Sequence, residues 1–137
     1  MPLALVSDIH GNDRAFAAVC LGDAVQGGHE PRQVLDRLAD AGRLDQLRSF
    51  RPTVELGSLL AFHGSPRSYD DVLLPETEDD SAWRVAGFDV LAGGHTHRQW
   101  TRAIGGALYV NPGAVMSEPA EFAVLTDRSV EFFRCAY

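Results

Sequence analysis

Six side chains able to hold metal ions or move protons stand directly after short apolar runs. Asp8 and His10 follow Leu3-Ala4-Leu5-Val6, and Asp23 follows Val19-Cys20-Leu21. His63 follows Leu59–Phe62, and His95 and His97 follow Val90-Leu91-Ala92. Carboxylate with imidazole and no thiolate is a ligand chemistry that favours manganese, iron or zinc. Two acids and four histidines exceed the needs of one ion and suit two, with one carboxylate between them. A centre of that kind does hydrolytic phosphoryl chemistry: it acidifies a water to hydroxide and clamps the phosphoryl oxygens during in-line attack. Two dications offset by Asp8, Asp23 and one hydroxide leave about +1, so a phosphate ester is drawn in despite the formal charge of −7 on the chain. The fifth histidine, His29, sits in Gly27-Gly28-His29-Glu30-Pro31 and reads as a plain loop residue.

The elements that must position these residues follow from the apolar pattern. Leu3–Val6 and Val19–Leu21 read as buried strands. Val34, Leu35, Leu38 and Ala39 recur at helical spacing after Pro31, Gly42 stops that helix, and Leu44, Leu47 and Phe50 suggest another before Pro52. Thr53–Leu56 and Leu59–Phe62 form a hairpin around Gly57-Ser58. Tyr69–Ser81 reads as an acidic loop with Glu76–Asp80 a solvated surface, and Ser81–Gly87 as a short helix. Val90–Ala92 and Leu108–Val110 are further strands, the latter ended by Asn111-Pro112-Gly113. Phe122–Thr126 and Val130–Arg134 close the chain as a hairpin around Asp127-Arg128-Ser129. Strand–helix alternation followed by hairpins predicts an α/β fold with two packed sheets flanked by helices. Loops leaving the C-terminal ends of neighbouring strands converge, which is where open α/β sheets bind ligands.

Composition sets limits around this reading. The 137 residues fit a single domain, with 45% hydrophobic and 23% charged residues. Nineteen acids against twelve bases argue against a grip on nucleic-acid backbones. All twelve bases are arginine, which excludes a catalytic lysine, a Schiff base and a Walker-type P-loop. No apolar run approaches the ~18 residues of a membrane helix, and Met1–Val6 lacks a basic leader. Cys20 and Cys135 form no disulfide framework and suggest a reducing compartment. A cytoplasmic location is therefore expected, with no membrane partner. Oligomeric state is unreadable, a homodimer being one option.

The same residues resemble a family. Ser7-Asp8-Ile9-His10-Gly11-Asn12, Leu21-Gly22-Asp23, Phe62-His63-Gly64-Ser65-Pro66, Gly94-His95-Thr96-His97 and Asn111-Pro112-Gly113 are similar to the motifs of the calcineurin-like metallophosphoesterases, in their small bacterial and archaeal phosphodiesterase branch. The resemblance implies a four-layer α-β-β-α sandwich with two packed mixed sheets and the metal site at the strand C-terminal ends. It implies that Asp8, His10 and His97 hold one ion, that His63 and His95 hold the other, and that Asp23 bridges. Asp23 and His95 are the residues expected to serve the reaction itself. Manganese leads the candidate ions, followed by iron, zinc, nickel or magnesium. The implied substrate is a small phosphate ester, cleaved as a phosphodiester by a metal-bridging hydroxide. Asn111-Pro112-Gly113 is expected as a structural turn near the site.

The family's Gly-Asn-His-Asp/Glu motif, which supplies a ligand and an acid, has no counterpart. Ala39-Asp40-Ala41-Gly42-Arg43 stands in its place. The first crossover is also short: Asp13–Ala18 at 1.5 Å per residue give a helix of roughly 9 Å. Either the protein lacks these segments, or the 137 residues omit parts of a longer natural chain, which the intact flanking motifs favour. An intact mass above 14.9 kDa would mark the second. A true loss would favour a catalytically impaired relative acting as a binding or scaffold module.

Overall fold

The computed structural model describes residues 2–7, 19–20, 32, 36, 39–40, 42, 45 and 51–136. Nine strands lie among them: β1 Leu3–Val6, β2 Val19–Cys20, β3 Thr53–Leu56, β4 Leu59–Phe62, β5 Val90–Ala92, β6 Gln99–Ile104, β7 Ala107–Pro112, β8 Ala120–Thr126 and β9 Ser129–Cys135. They form two mixed sheets, one ordered β2-β1-β8-β9 and one ordered β3-β4-β5-β7-β6. The expected pair of packed mixed sheets is present. Arg32, Asp36, Ala39, Asp40 and Asp45 are helical, and Gly42 ends a helix at φ +65° with its N–H donating to the Ala39 carbonyl. The predicted stop at Gly42 is therefore in place. The rest of the predicted helices in the first fifty residues lies outside the described residues.

The central strands β4, β5 and β7 run parallel. Strands covered on both faces read as continuous apolar runs, and Leu59–Phe62 and Val90–Ala92 are buried at every residue. Alternate side chains serve two cores. Leu59, Ala61, Val90, Ala92 and Val110 meet Leu5, Ala123 and Leu125 of the other sheet. Leu60, Phe62, Leu91 and Tyr109 point the opposite way and pack with Leu73, Trp83, Ile104 and Ala107. That outer core is roofed by the segment Gly64–Asp89.

Three expectations need correction. The helix predicted over Ser81–Gly87 is a single 3-10 turn, Ser81–Trp83, because Arg84 turns extended (ψ 106°). Gly87 then takes φ +90°. Asp80 is not solvated surface: it is 5% exposed, and its carboxylate pairs with Arg84 at 2.7 Å and Arg102 at 3.3 Å. Finally, β6 has no counterpart in the sequence reading. It pairs with β7 through the two-residue turn Gly105-Gly106, with φ of +56° and +90°. Glycine pairs favour such tight hairpin turns, and that dipeptide was the available signal.

Candidate metal centre

Neighbouring parallel strands release their C-terminal ends side by side. β4 and β5 are such neighbours, with Ala61 opposite Ala92. His63 follows β4 at once, and His95 lies three residues past β5. The two imidazoles meet: His63 Nε2 stands 3.0 Å from His95 Nδ1, with ring centroids 4.8 Å apart and planes crossed at 74°. The backbones meet as well, the Gly94 N–H donating to the His63 carbonyl at 2.8 Å. His63 is buried (3% exposed), His95 is half-buried and His97 is exposed on the same loop.

This loop is held in an uncommon conformation. His95 and His97 both adopt left-handed backbone, φ +68° and +56°. For residues other than glycine that conformation costs of order 1 kcal/mol each and persists only where the surroundings impose it. Asn111, fully buried at the end of β7, braces this loop on either side of His95. Its Nδ2 donates to the Gly94 carbonyl at 2.8 Å and to Thr96 Oγ1 at 3.0 Å. Its Oδ1 accepts the Gly113 N–H at 3.0 Å. The expected structural turn at Asn111-Pro112-Gly113 is thus a clamp: Asn111 and Pro112 still belong to the strand, and Gly113 turns at φ +85°.

The loop after His63 is equally fixed. Ser65 Oγ donates to Asp71 at 2.6 Å and accepts from the backbone N–H groups of Arg67 and Ser68. Trp83 Nε1 donates to the Gly64 carbonyl at 2.8 Å. Gly64 is required here: a Cβ would meet the backbone carbonyl oxygens of Tyr69, of Asp71 at 2.7 Å and of Ser68 at 2.8 Å. The loop lays Tyr69 on His63, ring centroids 4.2 Å apart and planes 27° from parallel. Neither Asn111's clamp nor Tyr69's stacking was drawn from the sequence: the clamp joins residues 15–17 positions apart, and the stacking depends on how the loop after His63 turns.

Asp8, His10 and Asp23 lie outside the described residues. Ser7, which precedes Asp8, is buried, and its carbonyl accepts the Val115 N–H at 3.0 Å. The end of β1 is therefore tied to the loop that follows β7. Among the described residues no group of three or more metal-ligating side chains gathers. The histidine pair itself fits a divalent ion: two nitrogens each ~2.0–2.1 Å from one ion stand roughly 3.0–3.4 Å apart.

The calcineurin-like phosphoesterase superfamily domain matches residues 1–128. The chain belongs to this superfamily. Solved structures agree on the fold. A metallophosphoesterase from Sphaerobacter thermophilus superposes with a TM-score of 0.72 at 18% identity, covering 100% of this chain and 89% of that one. The phosphoesterase Yfce from E. coli gives 0.55 at 22% identity, covering 97% and 98%. Vacuolar Protein Sorting 29 from Cryptosporidium parvum gives 0.52 at 17% identity, covering 97% and 95%. Among curated proteins no match is found.

Proposed function

We propose that the protein is a phosphodiesterase using two divalent ions held by Asp8, His10, Asp23, His63, His95 and His97. The observation that carries this is the meeting of His63 and His95 at the ends of two parallel strands, in a superfamily of phosphoesterases. Two such ions, when bound, acidify a water and neutralise charge on the phosphoryl group. The chain's own contribution is placement. Asn111 fixes the loop bearing His95 and His97, and burial fixes His63. Asp23 and His95 are assigned to the reacting centre, manganese is the first candidate ion, and the substrate is a small phosphate ester. A cytoplasmic setting belongs to the proposal. It is supported by Cys135, a free exposed thiol among the described residues. Among the described residues no helix is long and apolar enough to cross a membrane.

The test is metal content together with turnover of bis(p-nitrophenyl) phosphate by the manganese-loaded chain. Residues that only support a metal ligand cost 10–100-fold when lost, so His63→Ala and His95→Ala should each lower activity by about 100-fold or more and lower bound metal. Full activity in either variant, or less than one ion per wild-type chain, overturns the proposal.

A second reading has its own support. Where the superfamily's Asn-His motif is expected, Ala39 and Asp40 are helical and Gly42 turns. A neighbour of this fold also carries a protein-sorting name. A scaffold role predicts no turnover of any phosphoester by metal-saturated protein.

A further inference from the structure

β9 ends the four-stranded sheet, and among the described residues it pairs with β8 alone. An edge strand offers a row of free N–H and C=O groups to any second strand, and folded proteins usually blunt such edges with shortness, proline, lysine or a bulge. β9 has none of these. It runs seven residues, Ser129 to Cys135, against two, four and six for the other edges β2, β3 and β6. Its register is unbroken from Ala120↔Cys135 to Thr126↔Ser129. Every residue of it but Val130 is exposed, Phe132 by 39% and Phe133 by 37%. The backbone of this edge has a definite polarity. Gln99 Nε2 donates to the carbonyls of both Phe122 and Phe133, at 3.0 and 2.9 Å. Opposed residues of an antiparallel pair turn their carbonyls either toward each other or apart, and one amide reaches both only when they lie between the strands. Alternation then turns the N–H and C=O groups of Val130, Phe132 and Arg134 outward.

We infer that β9 pairs antiparallel with β9 of a second copy of the chain, about a twofold axis at Phe132, so that two four-stranded sheets become one. The strand is complementary to itself in this register and not in its neighbours. Phe132 is the midpoint of Ser129–Cys135, so every residue of the strand finds a partner. An axis at Glu131 or Arg134 would set like charges face to face, which destabilises a sheet. An axis at Phe133 would leave Ser129 and Val130 unpaired. With the axis at Phe132, Val130 meets the partner's Arg134, Glu131 meets the partner's Phe133, and the two Phe132 rings lie opposite each other. Val130, Phe132 and Arg134 are the residues with outward backbone groups, so each of these pairs exchanges two hydrogen bonds. A contact of this kind uses the same patch twice and closes at two copies.

Sedimentation equilibrium of the full chain under reducing conditions tests the assembly, and a cross-link tests the register. The wild type should sediment at twice its own mass. Phe132→Arg, which sets two guanidinium groups face to face at the axis, should sediment as a monomer with the far-ultraviolet circular dichroism of the wild type. In the proposed register Ser129 and the partner's Cys135 stand opposite each other, with Cα atoms about 4.5 Å apart, within reach of a disulfide. Along one strand the same two positions are about 20 Å apart, as are the two copies of Cys135 across the axis. Ser129→Cys should therefore give a covalent dimer on mild oxidation, and the wild type, with its native cysteines, should not. Ser129 lies at the turn end of β9, so the cross-link reads out the pairing even where Phe132→Arg loses the wild-type spectrum. A wild-type monomer throughout a dilution series, a dimer that survives in Phe132→Arg, or species larger than two overturns the pairing. So does the lack of a cross-link in Ser129→Cys, or an equal one in the wild type. The pairing needs neither metal nor phosphoester turnover, and its failure leaves the phosphoesterase reading untouched.

Discussion

At the scale of single residues, Asn111 braces the loop that carries His95 and His97. Its carboxamide satisfies a carbonyl, a hydroxyl and an amide N–H in a space where its own side chain is fully buried. Removing one partner of a buried hydrogen bond leaves the others unsatisfied, at roughly 1–3 kcal/mol. Asn111→Ala should therefore lower unfolding free energy by about 2–3 kcal/mol in a denaturant titration. It should also release the left-handed backbone at His95, so metal affinity should fall with stability. Residue types were the most legible feature of the sequence. His63 and His95 stand together because each follows an apolar run, and those runs are adjacent strands. Asn111 was legible only as part of a turn, because its three partners come from residues 94, 96 and 113.

At the scale of elements, some short apolar strands were readable to the residue, whereas Leu108–Val110, Phe122–Thr126 and Val130–Arg134 are parts of longer strands, β7, β8 and β9. Leu59–Phe62 and Val90–Ala92 have the predicted bounds, since runs buried on both faces admit few alternatives. β6, Gln-Trp-Thr-Arg-Ala-Ile, buries fully only its last residue, so its pattern is weak and its position comes from pairing with β7. Asp80 looked like surface because its neighbours are acidic. Its burial depends on Arg102, a residue of β6. The loop Gly64–Tyr69 follows His63 directly and lays Tyr69 on its ring. In Gly64→Ala the new Cβ would press on backbone carbonyls rather than on pliable side chains. Overpacking of that kind costs about 1–3 kcal/mol. Melting curves should show that loss, and the contact between Tyr69 and His63 should loosen with it.

At the scale of the whole molecule, two sheets share one core, and Leu5 is its link. Leu5 is fully buried and meets residues of both sheets. Truncating a buried leucine costs 2–5 kcal/mol, so Leu5→Ala should lower the unfolding free energy by about 3 kcal/mol. Val54→Ala, at a position 41% exposed on an edge strand, should change it by less than about 0.5 kcal/mol. The strand order carries one more consequence, for the chain as it is being made. β1 is flanked by the two-residue β2 and by β8, whose residues come more than a hundred positions later. The five-stranded sheet has all its strands by residue 112, whereas β1 must wait for the last hairpin to leave the ribosome. Until then the face of Leu59, Ala61, Val90 and Ala92 has no lid from β8, and Leu3, Ala4 and Leu5 of β1 have no partners from β8. In the order of synthesis, the fold's first strand is among the last to be seated.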